Sequence, residues 1–292
     1  MAHLAIENLN GPIWMDGRLV PWDQAQLHVL SHGLNYASSV FEGIRTYGGA
    51  PFKLSEHMER FQESARILAF PLPFTTAQLV EAARQVIGTQ DLRDGYLRPV
   101  AWRGHEGLGI SAPNTTTHVA IAGVPMGDLF TPELRKNGIS LQVSSWRRPS
   151  PETAPIKAKA ACHYAVGALA IKEALAAGCG DALMLDERGF IAESTGSNFF
   201  IVKGGILRTP IPDRALDGIT RRTVLDLARQ RGIETAEERL RLDDLAGATE
   251  AFLTGTAVEV IPVNRVDDAA IPGPRPITEA LMEDYFKLVG KK

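Results

Sequence analysis

Pro155-Ile156-Lys157-Ala158-Lys159-Ala160-Ala161-Cys162-His163-Tyr164 sets two lysines among small apolar residues, just ahead of a helical segment expected from about Cys162 to Ala177. A charged ammonium is costly to bury, so desolvation in such surroundings lowers a lysine pKa toward neutrality. A neutral amine is what Schiff-base chemistry with a carbonyl compound requires. Taken alone, the signal is weak, because a lysine near alanines is far more often a surface residue with a buried stem. Both Lys157 and Lys159 stay open as candidates at this level.

Working outward, the segments on either side mix strands and helices without regular βαβ alternation, which predicts an α+β fold. Upstream, Asp16-Gly17 between Ile13-Trp14-Met15 and Arg18-Leu19-Val20 reads as a hairpin turn. A helix is expected from a Ser55 cap to about Phe70, with Met58, Phe61, Ala65 and Leu68 on one face and a break at Pro71-Leu72-Pro73. Thr75 or Thr76 caps the next helix, whose stripe is Leu79, Ala82, Ala83, Val86 and Ile87. Strands follow at about Gly95–Arg103 and Thr117–Val124, and Pro125 to Pro132 reads as a connection between two bodies. Downstream, strands are expected around Ile139–Ser145, Asp181–Asp186, Phe190–Glu193, Asn198–Val202, Ala251–Leu253 and Val258–Val263. A further helix runs from Asp217-Gly218-Ile219-Thr220 to Arg231. Domains are therefore placed at residues 1–125 and 138–292, joined by a loop at 126–137.

The 292 residues are 45% hydrophobic and 22% charged, which excludes a disordered chain, a collagen and a coiled coil. A net charge of −3 gives no basic field for nucleic acid or an anionic membrane. The charge-free stretch from Gly107 to Gly127 contains Pro113-Asn114-Thr115-Thr116-Thr117-His118, which a bilayer core rejects. The N-terminal residues 1–7 carry no basic n-region and no apolar h-region. Cys162 and Cys179 form neither a disulfide framework nor a CxxC site, so a reducing cytoplasm is expected and the Asn114-Thr115-Thr116 sequon reads as incidental. No GxGxxG, Walker A or GxSxG motif is present. His28 and His32 have a zinc-compatible spacing, but Val29 stands where a zincin has its glutamate, so two structural histidines and no metal are expected.

Taken together, separate blocks resemble the fold-type IV pyridoxal-phosphate enzymes. They are Lys159 with Tyr164, Glu193-Ser194-Thr195-Gly196-Ser197-Asn198-Phe199-Phe200, Leu216-Asp217-Gly218-Ile219-Thr220-Arg221, and Thr254-Gly255-Thr256-Ala257-Val258-Glu259. Ser31-His32-Gly33-Leu34-Asn35-Tyr36, Val40-Phe41-Glu42-Gly43-Ile44-Arg45 and Glu56-His57-Met58-Glu59-Arg60 fit as well, in the same order along nearly the whole chain. Tyr96-Leu97-Arg98-Pro99 narrows the resemblance to branched-chain amino-acid aminotransferases.

The resemblance implies a two-domain, D-amino-acid aminotransferase-like fold, with a small N-terminal α/β domain and a larger C-terminal pseudo-barrel domain. It implies pyridoxal 5′-phosphate as cofactor and transamination of leucine, isoleucine and valine with 2-oxoglutarate. Lys159 is selected over Lys157 only by its spacing to Tyr164 in the family pattern; it would form the Schiff base and shuttle the proton. Glu193 would keep the pyridine nitrogen protonated, and Tyr164 would donate to the phenolic oxygen. Arg60 and the helix start at Gly218-Ile219-Thr220 would hold the phosphate. Gly196, Asn198, Leu216 and Thr256 complete the expected cofactor site. Tyr36, Phe41, Tyr96, Met126, Leu129, Thr256 and Ala257 would line the substrate pocket, where Arg98 and Arg45 supply the charge that a second carboxylate needs. Relatives often carry aromatic residues at the positions of Met126 and Leu129, and a glycine where this chain has Cys162. Homodimers or hexamers are implied, with neighbouring subunits helping to close each site.

Three other readings compete. A D-amino-acid or (R)-amine transaminase and, less favoured, an aminodeoxychorismate lyase share the scaffold and the lysine. A binding protein that lost the reaction would have lost the lysine or the glutamate, and this chain keeps both.

Overall fold

A computed structural model of the chain describes residues 9–291, so the reading of residues 1–7 lies outside the described residues. The chain divides into two compact units, at Gly127/Asp128 and on both sides of the Lys157–Cys162 segment.

The N-terminal unit is built on an antiparallel sheet of seven strands. Its central pair, Gly95–Arg103 and Thr117–Pro125, runs in register from Gly95↔Pro125 to Arg103↔Thr117. Ile44–Tyr47 and Ser39–Phe41 both pair with Gly95–Arg103, and the hairpin Ile13–Met15/Arg18–Val20 adds to the other edge. Strand alternation sends Leu97 and Ala101 into a core with Met58, Phe61, Ala65, Leu79, Ala83 and Val86 from two helices. Tyr96 and Arg98 therefore stand on the opposite face, turned away from that core.

The helix Thr76–Gln90 begins as expected, with a capping box: Gln78 N donates to Thr75 Oγ1 and Thr75 N donates to Gln78 Oε1. The preceding helix differs from its expected bounds, spanning Leu54–Ile67 with Lys53 rather than Ser55 at the N-cap. The strand Ala50–Pro51 leaves only a tight turn before it, closed by Lys53 in the left-handed region at φ 50°. Its end is a Schellman arrangement, with Ala69 at φ 57°, Ala69 N on Arg66 O and Phe70 N on Ala65 O. That motif stops the helix before the prolines do.

The C-terminal unit holds a nine-stranded sheet that curls into a half-barrel. In order across the sheet come Ile191–Ser194, Asp181–Leu185, Ile139–Arg147, Glu259–Val266, Glu250–Gly255, Asn198–Lys203, Ile206–Pro210 and Thr235–Glu238, and the ninth strand, Ala269–Ala270, pairs with Glu259–Val266. Ile139–Arg147 is parallel to both of its neighbours, and the remaining pairs are antiparallel except Ile206–Pro210 with Thr235–Glu238. The helices Tyr164–Ala176, Ile219–Gln230 and Pro276–Leu288 belong to this unit. The first starts two residues later than the sequence suggests, because Ala161–His163 forms a 3-10 turn.

Lys157–Cys162 packs with the N-terminal unit, whereas the sequence reading assigned Lys159 to the C-terminal domain. The reason is local pairing. Ala160 bridges Val40, Phe41 N donates to Lys159 O at 3.1 Å, and Lys159 N donates to Ser64 Oγ at 2.9 Å. Ala158 and Ala160 sit fully inside that unit's core.

Candidate active site

In the N-terminal unit, the lysine segment separates its two candidates. Lys157 is exposed, while Lys159 is half-buried with its Nζ 5.0 Å from the centre of the Phe41 ring. The Arg98 guanidinium lies 4.7 Å from the same ring and 5.3 Å from that of Tyr96, and its Nη2 reaches Tyr96 Oη at 3.4 Å. The Phe41 ring thus packs against both the Lys159 amine and the Arg98 guanidinium, and an aromatic quadrupole favours the latter. Gly43 makes room for Tyr96: a Cβ there would lie 1.7 Å from the Tyr96 hydroxyl. Arg45, by contrast, is buried; its Nη1 donates to Gly127 O at 3.1 Å and its Nε has no hydrogen-bond partner. Tyr36 is 43% exposed and rests against His32, and Met126 is buried. His32 is engaged by Ser38 Oγ and Ile110 O, and His28 accepts from Leu30 N.

Arg60 has a buried carboxylate behind it. Its Nε and Nη2 donate to Glu42 at 2.6 and 2.9 Å, and His57 Nδ1 donates to the same carboxylate at 2.7 Å. Burial works to raise the Glu42 pKa, but the Arg60 guanidinium and the His57 hydrogen bond hold it well below the usual carboxylate range. Burial pushes the His57 imidazole pKa down, against the opposing pull of Glu42. A neutral His57 with its proton on Nδ1 satisfies this geometry. The sequence quoted Glu42 and His57 only as parts of blocks; their apolar neighbours gave no sign that both turn inward onto Arg60.

In the C-terminal unit, the helix Ile219–Gln230 begins at Gly218 with no side-chain cap and no acidic residue in its first turn. Its opening amides and dipole are suited to an anion. Ile219 and Thr220 are buried there, and Arg221 fixes the start through Asp217, Glu237 and Pro210 O. Asn198 ties this cradle to Glu193: its Nδ2 donates to Leu216 O at 2.8 Å and approaches Glu193 Oε2 at 3.4 Å. A Cβ on Gly218 would lie 2.0 Å from Asn198 Oδ1, so only glycine allows this approach.

Glu193 is buried at an irregularity in the pairing of Ile191–Ser194 with Asp181–Leu185, and Arg148 Nη2 stands 3.0 Å from its Oε1. The turn that follows, with Gly196 exposed, is secured by Thr195 Oγ1 donating to Asp181 and Ser197 N donating to Ser194 Oγ. Thr256 and Ala257 are half-buried in the turn between Glu250–Gly255 and Glu259–Val266. That turn closes on Glu259, at φ 59°, which is held by Arg135 at 2.6 Å and Lys291 at 2.9 Å. Tyr164 opens its helix half-buried, and Leu129 packs against the core of this unit. Arg148 was missed in the sequence, where Arg147-Arg148 before a proline does not reveal which arginine turns inward.

Within the C-terminal unit, the uncapped helix start suits the phosphate of pyridoxal phosphate and the buried Glu193 carboxylate suits its ring N–H; within the N-terminal unit, the half-buried Lys159 amine suits an aldehyde.

Comparison with known proteins agrees. The class IV amino-transferase family profile matches residues 39–266. A probable branched-chain-amino-acid aminotransferase of Rickettsia bellii is 42% identical over 95% of this chain and 96% of its own. A crystal structure of the Escherichia coli branched-chain amino acid aminotransferase superposes with a TM-score of 0.92 at 39% identity, covering 96% of this chain and 95% of that one. The branched-chain aminotransferase of the archaeon Thermoproteus uzoniensis, solved with norvaline, gives 0.91 at 37% identity, covering 97% and 96%. A further branched-chain amino acid aminotransferase, solved with pyridoxamine 5′-phosphate, gives 0.93 at 40% identity over the same shares of the two chains.

Proposed function

The chain belongs to the class IV aminotransferases, and on that premise we propose that it transfers the amino group between branched-chain L-amino acids and 2-oxoglutarate. Pyridoxal 5′-phosphate is the cofactor; when bound it supplies the carbonyl that takes up the amino group and a ring that withdraws electrons from the substrate Cα. The chain's own residues do the rest. Lys159 Nζ takes the proton from Cα and delivers it to the cofactor side. Glu193 holds a proton at the ring nitrogen, and Tyr164 donates to the phenolic oxygen. Arg60 and the amides at Gly218, Ile219 and Thr220 grip the phosphate, with Gly196, Leu216 and Thr256 completing the cup. Tyr36, Phe41, Tyr96, Met126, Leu129 and Ala257 exclude water from an apolar side chain. Arg98 meets the second carboxylate of glutamate, with Arg45 as a further source of charge.

The observation that carries this reading is Asn198, whose one amide group spans Leu216 O on the phosphate side and Glu193 on the ring side. It fixes the spacing between an anion cradle and a proton-holding carboxylate. The test is borohydride reduction of the yellow holoenzyme followed by peptide mapping. The adduct is expected on Lys159, with Lys159→Ala losing both adduct and transamination and Lys157→Ala keeping both. An adduct on Lys157 overturns the assignment.

Two coarser expectations extend the proposal. Leu27, Val29, Leu34, Leu108 and Ile110 are exposed, and a cavity of about 350 Å³ lined by Ile13, Met15, Leu34, Val100 and Trp102 adjoins Arg98 in the same unit. Such apolar exposure supports a homodimer or a trimer of dimers. Among the described residues, no helix is long and apolar enough to cross a membrane. The two cysteines, which form no disulfide framework, support a cytoplasmic enzyme, with the two compact units as its domains.

A further inference from the structure

Arg148 follows the strand Ile139–Arg147 and is only 6% exposed. Among the described residues its ion pair is with Glu193, at 3.0 Å, while its Nε is buried without a hydrogen-bond partner. The Glu193 carboxylate is thus approached by a full positive charge at Oε1 and by the Asn198 amide at Oε2. His163 is a second titratable group that feels the Arg148 charge. Burial lowers its pKa and the Arg148 charge lowers it further, while its Nε2 lies 3.1 Å from Pro155 O. A neutral ring that donates to a carbonyl adds no charge to the site.

A carboxyl group and a ring nitrogen that share one proton have two arrangements with the same proton count. Either the acid is neutral and donates O–H to the nitrogen, or it is ionised and accepts from a protonated nitrogen. In a buried site with no other charge, the neutral arrangement wins, because the separated charges have lost their hydration. A guanidinium in contact with the carboxylate favours its ionised form and reverses that balance. We propose that Arg148 is a positioning residue that decides where this shared proton sits, holding it on the cofactor's ring nitrogen rather than on Glu193. The proposal rests on the assignment of Glu193 to the ring nitrogen. Without Arg148 the site would still hold the cofactor, but with a neutral ring that draws electrons poorly from Cα.

The test reconstitutes the holoenzyme with ¹⁵N-labelled pyridoxal phosphate and reads the ring nitrogen by NMR, beside single-turnover proton removal from Cα. Wild type and Arg148→Lys should give the protonated signal. Arg148→Met should give the unprotonated signal with cofactor still bound, and proton removal should slow by about a hundredfold or more, the scale of losing one partner of a buried pair. Should the methionine variant not fold, Arg148→Gln keeps the volume and removes the charge, with the same expectation. A protonated nitrogen in the charge-free variant overturns the inference, as does failure of Arg148→Lys to keep the proton in place. Glu193→Gln separates the two claims. If it keeps the protonated signal, the role of Glu193 is wrong; if it loses that signal while Arg148→Met retains it, only the role of Arg148 is wrong.

Discussion

Glu42 decides how Arg60 is presented. Both guanidinium bonds and the His57 bond converge on one fully buried carboxylate, so breaking the cluster leaves charge stranded in the core. Glu42→Gln should cost about 3–5 kcal/mol of stability and weaken cofactor retention, measured by denaturant titration and by cofactor release on dilution. Unchanged retention would show that Arg60 needs no such support. The same cluster sets an acid limit. His57 has a folded pKa below its ordinary 6.5, so the unfolded chain takes up that proton first as pH falls. Glu42 has a folded pKa below its ordinary 4.5, so its contribution is present above that value and lost on further acidification. Denaturation midpoints should therefore fall in two stages below neutrality, and His57→Gln should flatten the first. At Arg98, removal of the charge as Arg98→Met should harm the glutamate half-reaction more than the leucine half-reaction, by tens- to thousands-fold if about 2–5 kcal/mol of pairing is lost. Equal losses in single-turnover kinetics would place Arg98 on a group common to both substrates.

At the scale of elements, the start of Ile219–Gln230 is where backbone and site meet. Gly218→Ala would drive a Cβ into Asn198 Oδ1, so the turn or the asparagine must shift. Cofactor affinity should drop at least tenfold with the far-ultraviolet spectrum unchanged, and equilibrium binding of pyridoxal phosphate to the variant is the check. Thr75→Ala removes one half of a capping box remote from the site. It should cost about 1 kcal/mol in thermal stability and leave kcat untouched. These elements also show what a single sequence carries. The stripe Leu79 to Ile87 and the central strands Gly95–Arg103 and Thr117–Pro125 were legible because one buried face imposes a period. Ile206–Pro210, Thr235–Glu238 and Pro276–Leu288 were not. The second of these is a polar edge strand, Thr-Ala-Glu-Glu, whose pairing is parallel and remote, so nothing local announces it. Motif residues such as Lys159, Glu193 and Gly218 could be named because their blocks resemble the family pattern. Their supports, Glu42 and Arg148, could not, because an ion pair between segments far apart in the chain leaves no mark in either.

On the scale of the whole molecule, the exposed apolar residues at 27–34 and 108–110 should be covered in solution. Light scattering at working concentration is expected to give a dimer or hexamer, and Leu108→Asp with Ile110→Asp should shift the mass downward. A monomer in the unaltered protein would remove the assembly from the proposal. The path of the backbone has a different consequence. The chain leaves the N-terminal unit at Gly127, returns to it for Lys157–Cys162, and leaves again. A gene cut within the 126–137 connection would therefore yield a first fragment whose Val40 edge lacks the segment that bridges it at Ala160. The second fragment would carry Lys159 on a segment cut off from the unit it packs with. Co-expressed halves should stay colourless until they reassociate, and a synthetic peptide spanning 155–164 should not replace the missing half. Yellow colour regained only on mixing would make this enzyme a split reporter whose signal is the cofactor itself.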